Sequence, residues 1–298
     1  MIKQSGSSHR YIDLHTHSTA SDGSMTPAEL VRYAYGKGLA AIALTDHDTV
    51  DGVAQALEEG ARLGMEVVAG VEISVSLSEW DFPGPGDGSE EPEMHLLGFF
   101  LKGGYESILG TLEGLREKRE QRNPRIVRKL NEMGFDISMD EVKAKAPGGI
   151  AGRPHIARVM VEKGYASSIA ECFEKYLGIG RPAYFRKDKL TPEEGISAIL
   201  NAGGIPVLAH PVFLGLRGSL LDQVLKKLKA AGLMGIEALY TENTPDLTGE
   251  LMELAEQNGL LVSGGSDFHG SFKPDIEIGI GKGDLRVPYA VLESLRSI

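Results

Sequence analysis

Short apolar runs bordered by histidine or carboxylate motifs recur along the whole chain. Nine residues in these motifs are candidate metal ligands: His15, His17, Asp22, His47, Glu72, His95, His210, Asp267 and His269. Imidazole and carboxylate groups bind cations such as Zn²⁺, Mn²⁺ and Fe²⁺, whereas a single cysteine leaves no thiolate site. The pattern therefore predicts a fold that gathers distant segments around one group of metals.

Helical patterns separate the apolar runs, as in repeated βα units around a parallel sheet. Capping boxes with proline at the first helical position predict helix starts after Thr26 and Thr191. The predicted strands are 11–14, 40–44, 67–71, 95–100, 205–209, 235–239 and 261–263. Seven strands with intervening helices predict an α/β fold, a closed or nearly closed (β/α)7 barrel with a helical insertion.

Most candidate ligands directly follow a predicted strand, at the rim where α/β barrels carry their active sites. His95 is the exception, because it begins its apolar run. Only a different boundary or direction for that strand would bring His95 to the same rim. Residues 83–92, rich in Gly, Pro and acidic side chains, are predicted to form an exposed excursion before it.

Local spacing supports the metal interpretation at two positions. His15 and His17 lie two residues apart at a strand end, so their imidazoles share one face. Glu72 ends an apolar run, and a buried carboxylate there needs a metal or another partner because an isolated charge is costly to desolvate. A helix cap or a rim salt bridge is the plainer alternative for Glu72. Asp46 and Asp48 are predicted to orient imidazoles or cap a helix.

Charge and composition limit the partners. With 31 Lys and Arg against 42 Asp and Glu, the net charge of -11 disfavours a long nucleic acid. It is compatible with a small anionic substrate in a metal-filled pocket. One cysteine excludes an intramolecular disulfide, and no apolar stretch approaches the roughly 20 residues of a membrane span. Residues 1–10 are predicted to be a flexible tail without a signal peptide, so we expect a cytoplasmic protein with no obligate protein partner.

The segment 105–185 departs from the βα pattern and is predicted to be a helical insertion over the barrel mouth. The barrel itself is predicted to comprise 11–104 and 186–298. Within the insertion, a capping box predicts a helix after Ser138, and further helices are predicted at 108–121, 124–134 and 154–164.

Seven motifs occur in a characteristic order: His15-x-His17, Asp22-Gly23, Thr45-Asp46-His47-Asp48, Gly70-Val71-Glu72, His95, Ala209-His210-Pro211 and Gly265-Ser266-Asp267-Phe268-His269. This order resembles the PHP superfamily, named for polymerase and histidinol phosphatase, and the match covers essentially the whole chain from Tyr11 onward. It is most similar to the stand-alone metal-dependent phosphoesterases, which include 3',5'-nucleoside bisphosphate phosphatases and short-RNA 5'-to-3' exonucleases.

The resemblance implies a distorted seven-stranded barrel that binds up to three divalent metals. It assigns them to three sets of ligands: His15, His17, Glu72 and Asp267; Glu72, His95 and His210; and Asp22, His47 and His269. Glu72 would bridge two metals, and a hydroxide between them would attack phosphorus. Catalytic roles are accordingly expected for Glu72, Asp267 and His210. Mn is the first choice for the metal, with Fe and Zn close behind.

The insertion is predicted to supply positive charge to the substrate. Arg153 and His155 lie at a predicted helix start, where free N–H groups and the helix dipole favour phosphate, and the resembled enzymes turn this segment towards substrate. We expect both residues to take part in binding and catalysis. Arg122 and Asn123, at a predicted break between two helices, and Lys175 are further candidate contacts. The alternative to a substrate contact is that these side chains are exposed to solvent, cap a helix or pack against neighbouring residues.

Two phosphate-binding elements, one metallic and one cationic, suit a substrate with two phosphates. We therefore predict hydrolysis of a nucleoside 3',5'-bisphosphate to the nucleoside 5'-monophosphate. A 5'-to-3' exoribonuclease acting on short oligonucleotides and a histidinol-phosphate-type phosphatase are alternatives. A binuclear amidohydrolase also begins with His-x-His. Its bridging metal ligand is often a carbamylated lysine, and no lysine follows an early strand here. The complete ligand set argues against a non-catalytic metal-binding module.

Overall fold

The computed structural model describes residues 10–77, 80, 94–146, 151–178, 180–185 and 190–298. The predicted tail, apart from Arg10, and the predicted excursion at 83–92 lie outside these residues. None of the described helices is both long enough and apolar enough to cross a membrane.

One eight-stranded sheet organises the described part of the chain, in the order β7-β6-β5-β4-β3-β2-β1-β8. Its strands are β1 (Tyr11–Thr16), β2 (Ala41–Leu44), β3 (Glu66–Val75), β4 (Met94–Phe100), β5 (Ile205–Leu208), β6 (Gly235–Tyr240), β7 (Leu261–Gly265) and β8 (Val287–Pro288). All seven predicted strands are present. The sequence analysis did not predict β8, which is two residues long and pairs antiparallel with β1.

The first and seventh strands approach each other where the barrel nearly closes. The amide of Asp267 donates to the carbonyl of His15 at 2.9 Å, and the amide of His17 donates to the carbonyl of Phe268 at 2.9 Å. A Cβ atom at Gly265 would lie 2.4 Å from the backbone nitrogen of His15, so this approach requires glycine. The α/β barrel prediction is thus confirmed.

Strand β4 differs from its neighbours in direction. It pairs antiparallel with both β3 and β5, whereas β1–β2, β2–β3, β5–β6 and β6–β7 are parallel. His95, near the start of β4, is paired with Ser74, near the end of β3. The reversed direction therefore brings His95 to the rim formed by the carboxyl ends of the parallel strands.

Helices pack around the sheet and continue into the insertion. They are α1 (Pro27–Gly36), α2 (Val53–Leu63), α3 (Leu109–Glu132), α4 (Met139–Ala144), α5 (Arg153–Glu162), α6 (Ile169–Cys172), α7 (Pro192–Asn201), α8 (Gly218–Ala230), α9 (Pro245–Asn258) and α10 (Tyr289–Arg296). The capping boxes predicted at Thr26, Ser138 and Thr191 are all present. A π-helical turn, Phe173–Leu177, directly follows α6.

Helix α3 is continuous, so the predicted break at Arg122 and Asn123 is wrong. Pro124 lies inside the helix, where it removes a backbone hydrogen bond and usually disturbs the helix. Packing on both sides of the proline offsets this cost. Leu112 and Leu115 are buried in the barrel core, and a second apolar cluster, formed by residues between 126 and 183, buries the other half of α3. At about 1.5 Å per residue, the 24 residues of α3 extend over roughly 36 Å, so the helix reaches both apolar clusters.

The chain returns from this second cluster at the rim that carries the candidate ligands. Leu190 forms a bridge with Val75 at the end of β3, and its carbonyl accepts a hydrogen bond from the amide of Ser76 at 2.8 Å. Helix α7 then leads to β5. The exact limits of the insertion, 105–185, stay a prediction, because α3 contributes to both apolar clusters.

Candidate metal centre

All nine predicted ligands converge at one rim of the barrel. They lie within or after strands that are neighbours in the sheet, with His15 in β1, Glu72 in β3 and His95 in β4. The others occupy the segments that follow β1, β2, β5 and β7: His17, Asp22, His47, His210, Asp267 and His269. Seven of the nine are buried, whereas Asp22 and His47 are partly exposed.

Glu72 lies at the centre of the group and is fully buried. Its Oε1 atom is 2.7 Å from Nδ1 of His95 and 2.8 Å from Nε2 of His210. Its Oε2 atom is 3.0–3.2 Å from ring nitrogens of three further residues, His15, His17 and His47. Both carboxylate oxygens therefore face imidazoles, as a bridging ligand would.

Three sets of residues bring their ligand atoms within 4.8 Å of one another in the described part of the chain. The sets are His15, His17, Glu72 and Asp267; His47, Glu72 and His95; and His17, Asp22, His47 and His269. The first has the composition expected from the resemblance. In the second, His47 stands where His210 was expected, and in the third His17 joins the expected residues.

Several buried atoms of this group form no hydrogen bond of acceptable geometry with the described residues. They are Nε2 of His15, both ring nitrogens of His17, Nδ1 of His47, Nδ1 of His210 and Oε2 of Glu72. Buried polar atoms without partners are rare, because leaving them unpaired is costly. Imidazole nitrogens and carboxylate oxygens are the donors that divalent cations such as Mn²⁺, Fe²⁺ and Zn²⁺ accept. The residues present therefore fit a centre of more than one cation.

The carboxylates of the centre are held in their ionised form. Burial would raise the pKa of Glu72, but the surrounding imidazoles, those of His47 and His15 foremost, hold it well below its usual value. Burial likewise opposes ionisation of Asp22 and Asp267, and neighbouring imidazoles again hold both pKa values well below their usual range. Three negative charges are thus available to cations at neutral pH.

Burial disfavours the charged form of both His17 and His47, but the net pKa shifts of the two imidazoles are opposite. Burial would lower the pKa of His17, but Asp267 and Glu72 raise it to about 9. At His47, whose side chain is 22% exposed, desolvation by the surrounding protein still prevails over the carboxylates and lowers the pKa to about 3. Since a metal binds only the unprotonated imidazole nitrogen, protons compete with cations at His17 more than at His47.

The predicted phosphate-binding residues of the insertion lie at the start of α5. The backbone amide of Gly152 donates to Nδ1 of His155 at 3.1 Å, so the neutral imidazole carries its proton on Nε2. The guanidinium of Arg153 lies 5.3 Å from the ring centre of Tyr184 and 5.7 Å from that of Phe173. It also donates to the carbonyl of Leu177 at 3.1 Å. Both side chains are partly exposed.

The other predicted substrate contacts differ in their surroundings. Arg122 and Asn123 are buried in the middle of α3, and Nη2 of Arg122 donates to Oδ1 of Asn123 at 3.2 Å. The amide of Asn123 donates to the carbonyl of Ala151 at 2.7 Å, which ties α3 to the start of α5. Lys175 is exposed and forms an ion pair with Glu171 at 2.7 Å. The structure thus links Asn123 to the segment before α5 with Arg122 beside it, whereas Lys175 pairs within its own helical segment.

Helix α5 also contacts the barrel rim. The guanidinium of Arg158 lies over the ring of Phe272, 5.3 Å from its centre. Phe272 ends the short helical turn that directly follows His269. The insertion therefore touches the segment next to a candidate metal ligand.

The PHP domain model matches residues 13–187 of the chain. The protein belongs to the PHP domain family. The 5'-3' exoribonuclease Rnm of Escherichia coli is 35% identical over 269 residues, covering 90% of this chain and 87% of that protein. The 3',5'-nucleoside bisphosphate phosphatase of Chromobacterium violaceum is 32% identical over 259 residues, 87% of each chain.

A solved structure from Bifidobacterium adolescentis, described as a metal-dependent phosphoesterase, has the same fold. Its TM-score is 0.81 with 29% identity, and the alignment covers 97% of this chain and 96% of that one. The predicted family and enzyme class are confirmed: the protein is a PHP metal-dependent phosphoesterase, which hydrolyses phosphoric esters with divalent metal ions. The non-catalytic alternative is set aside.

Glu237 of the PHP site was missed by the sequence analysis. It is fully buried in β6, and its Oε1 atom lies 3.0 Å from Nδ1 of His15. Its Oε2 atom accepts a hydrogen bond from the backbone amide of His210 at 2.7 Å. The contact with Nδ1 leaves Nε2 of His15 directed at Glu72, as in metal sites where a carboxylate orients a histidine ligand. The available signal was a glutamate within an apolar strand.

Two further residues that were missed hold one oxygen of Asp267. The hydroxyl of Tyr240 donates to Oδ2 at 3.0 Å, and the ammonium of Lys273 donates to the same atom at 2.7 Å. The other oxygen, Oδ1, lies 3.1 Å from Nε2 of His17 and 3.6 Å from Nε2 of His15. Asp267 therefore presents one oxygen to the PHP metal centre.

Backbone strain is concentrated at this rim. Among the described residues other than glycine, positive φ angles occur at Asp48 (52°), His210 (25°) and Asp267 (59°). Such conformations are unfavourable for residues with a side chain and persist where the surrounding structure enforces them, often at active sites. Asp48 accepts a hydrogen bond from the amide of Ser74 at 3.0 Å, and Asp46 accepts three from Ser18 and Ser21. These two carboxylates thus organise the backbone that carries the ligands.

Proposed function

We propose that this phosphoesterase hydrolyses a nucleoside 3',5'-bisphosphate to the nucleoside 5'-monophosphate and phosphate. The observation that carries the proposal is the contact of α5 with the turn after His269, made by Arg158 and Phe272. Helix α5 begins with Arg153 and His155, so a cationic helix start belongs to the same element that touches the metal rim. Two anion-binding elements on adjoining segments suit a substrate with two phosphates.

The metal centre would receive the phosphate that is removed. One cation would be held by His15, His17, Glu72 and Asp267. Together with Glu72, the remaining ligands would hold two further cations: Asp22, His47, His95, His210 and His269. Bound divalent cations lower the pKa of a coordinated water and neutralise phosphoryl oxygens. Glu237 would keep His15 in the required tautomer, and Tyr240 with Lys273 would fix the orientation of Asp267. Mn is our first proposal for the metal, followed by Fe and Zn.

The start of α5 would bind the second phosphate. The first turn of a helix has free N–H groups and a partial positive charge, both favourable for an anion. His155 adds a donor because its proton lies on Nε2, and Arg153 adds a fixed positive charge. Asn123 would support this element by holding the carbonyl of Ala151. Arg122 lies beside Asn123 and would add charge, and Lys175 is a more remote candidate because of its ion pair with Glu171.

A 5'-to-3' exoribonuclease acting on short RNA is the second candidate. It is supported by the 35% identity to the Escherichia coli exoribonuclease along nearly the whole chain. In this alternative, the start of α5 would bind the 5'-phosphate of the RNA, and the metal centre would receive the next phosphodiester. The same residues would serve both reactions, so substrate length decides between them.

Phosphate release and nucleotide release from three substrates test the proposal. Metal-loaded protein is incubated with adenosine 3',5'-bisphosphate, with AMP and with a short 5'-phosphorylated RNA. We expect phosphate from the bisphosphate at a kcat/KM at least about tenfold above that for AMP, since AMP lacks the second phosphate. Mononucleotide release from RNA with little cleavage of the bisphosphate would favour the exoribonuclease. Equal, negligible cleavage of all three would reject both.

The role of α5 is tested by Arg153→Gln, with Arg128→Gln as the matched control. Arg128 is an exposed arginine of α3 in the same insertion. We expect Arg153→Gln to raise KM for the bisphosphate about tenfold, because a charge-assisted contact is lost, and Arg128→Gln to have no such effect. Equal KM values for both variants would contradict the proposed second phosphate site.

A further inference from the structure

Phe213 lies beside the candidate metal centre and is nearly half exposed. The exposed fraction is 48%, and its ring centre is 5.0 Å from that of His210. Nε2 of His210 in turn lies 2.8 Å from Oε1 of Glu72. A single exposed apolar side chain is ordinary on a protein surface. The surroundings of Phe213, however, suit its exposed ring to contact a bound ligand.

The turn that carries Phe213 is anchored on both sides. Leu214 is buried in the barrel core, and Val212 packs against the same core. The amide of Phe213 donates to the carbonyl of His210 at 3.1 Å, and the amide of Gly215 donates to the carbonyl of Val212 at 3.2 Å. Because its neighbours point inward and the turn is closed by hydrogen bonds, Phe213 is held outward in a fixed position.

A buried tyrosine supports the ring of Phe213 from the side of the metal centre. The ring centres of Phe213 and Tyr240 are 5.9 Å apart, and the ring planes meet at 80°. This edge-to-face geometry is a preferred aromatic contact. Tyr240 is itself fixed, since it is buried and its hydroxyl donates to Asp267. The chain therefore presents a preoriented aromatic ring next to the ligands.

Other exposed aromatic side chains in the described residues are less suited to this use. Phe272 is 43% exposed, but the guanidinium of Arg158 lies over its ring. Tyr35 is 52% exposed and lies near the end of α1, which leads to the start of β2 at the opposite rim. Phe213 combines exposure, a fixed position and contact with a candidate ligand.

We infer that Phe213 is the surface on which the base of the nucleotide substrate stacks. This inference rests on the proposed function and adds the base to the groups that the site recognises. Only the ribose separates the base of a nucleotide from its phosphates, so a ring next to a phosphate-binding centre is within reach of the base. Stacking on an aromatic ring is tolerant of base identity, because every base has a π face. The site accordingly accepts purine and pyrimidine nucleotides alike.

The kinetic test compares a substrate with a base and one without. Phe213→Leu keeps an apolar side chain and removes the aromatic plane. We expect it to raise KM for adenosine 3',5'-bisphosphate about tenfold relative to KM for base-free 1-deoxyribose 3,5-bisphosphate, equivalent to about 1.4 kcal/mol. Leu220→Ala, an exposed position on α8, is the control and leaves the ratio of the two KM values as in the wild type. An unchanged ratio in Phe213→Leu overturns the inference.

A binding test separates this inference from the proposed reaction. In Phe213→Trp, we expect AMP to quench the fluorescence of the new indole, whereas ribose 5-phosphate does not. The wild-type signal, which comes from Trp80, is subtracted first. If the wild type releases no phosphate from either bisphosphate, the proposed function fails, and the fluorescence titration still decides the stacking. Absence of quenching by AMP, or equal quenching by ribose 5-phosphate, overturns the inference that the base stacks on Phe213.

Discussion

Glu72 shows how a single residue can organise the whole centre. It is fully buried, and imidazoles from five different positions approach its two oxygens: His15, His17, His47, His95 and His210. Such a cluster of like-charged or neutral rings around one carboxylate has little value for packing alone. Cations that share the carboxylate and bind the rings would account for it.

At the scale of single residues, the position of a candidate ligand at the rim was predictable where that residue borders an apolar run. His15, Glu72 and His210 are examples, because the strand pattern and the residue type point to the same role. Glu237, Tyr240 and Lys273 were not predictable in this way. Their roles depend on contacts with residues 27 to 222 positions away or on the path of a loop, which no local pattern encodes.

Glu237→Gln tests the orientation of His15. The amide retains the size of the carboxylate but loses the charge that helps to raise the pKa of His15 and fixes its tautomer. We expect metal affinity and turnover to fall about 10- to 100-fold. Metal titration of the chelated protein measures the effect, and Glu253→Gln on the exposed face of α9 is the control. Equal affinities in the two variants would show that Glu237 has no positioning role.

The metal-free protein is expected to lose stability as the pH rises from about 6.5 to 9. The pKa of His17 is raised to about 9 in the folded protein, above its ordinary value of 6.5. The charged imidazolium therefore stabilises the fold fully below pH 6.5, and this contribution disappears as the pH rises through 9. Thermal unfolding in chelator measures it. A melting temperature that stays constant or increases over this range would contradict the expectation, and His17→Gln should flatten the profile.

At the level of elements, the strands were predictable because buried β-branched and apolar runs are distinctive. The direction of β4 was not, since an apolar run has the same composition whichever way it is traversed. The position of His95 at the start of its run was the one local sign of the reversal. The continuity of α3 was also hidden, because Asn123-Pro124 has the form of a helix start and only packing on both sides of the proline overrides it.

Asn123→Ala tests the link between α3 and α5. It removes the hydrogen bond to the carbonyl of Ala151, which stabilises the start of α5 by about 1 kcal/mol. We expect KM for the bisphosphate to rise several-fold while the amount of bound metal stays constant, because Asn123 contacts Arg122 and Ala151 in the insertion. Asn131→Ala, in the same helix, is the control and removes two hydrogen bonds with the backbone of Ile137. A similar rise in both variants would indicate a general loss of insertion structure.

At the scale of the whole molecule, metal binding and the proposed second phosphate site belong to different apolar clusters. The ligands lie on the barrel, whereas α5 packs in the cluster formed by residues between 126 and 183. The two functions therefore depend on packing in different parts of the molecule, although α5 touches the turn after His269. It also explains why a strand pattern was enough to predict that the candidate metal ligands gather at one rim, whereas the substrate contacts depend on how the helical cluster meets that rim.

Met160→Ala tests this separation. Met160 is fully buried in the helical cluster, and its truncation should lower the free energy of unfolding by about 2–5 kcal/mol. We expect a raised KM and an unchanged number of bound metals. Leu14→Ala in β1, next to His15, should instead lower metal affinity. An equal loss of metal in both variants, measured by elemental analysis, would show that the two clusters are not independent.

The most direct measurement of the central claim is phosphate release from adenosine 3',5'-bisphosphate after metal removal and return. Wild-type protein and Glu72→Gln are treated with chelator, dialysed and supplied with Mn²⁺. We predict that chelation abolishes turnover, that Mn²⁺ restores it in the wild type, and that Glu72→Gln stays more than about 100-fold slower, because its neutral amide cannot bridge cations. Full activity in the chelated wild type, or equal recovery in Glu72→Gln, would contradict the account.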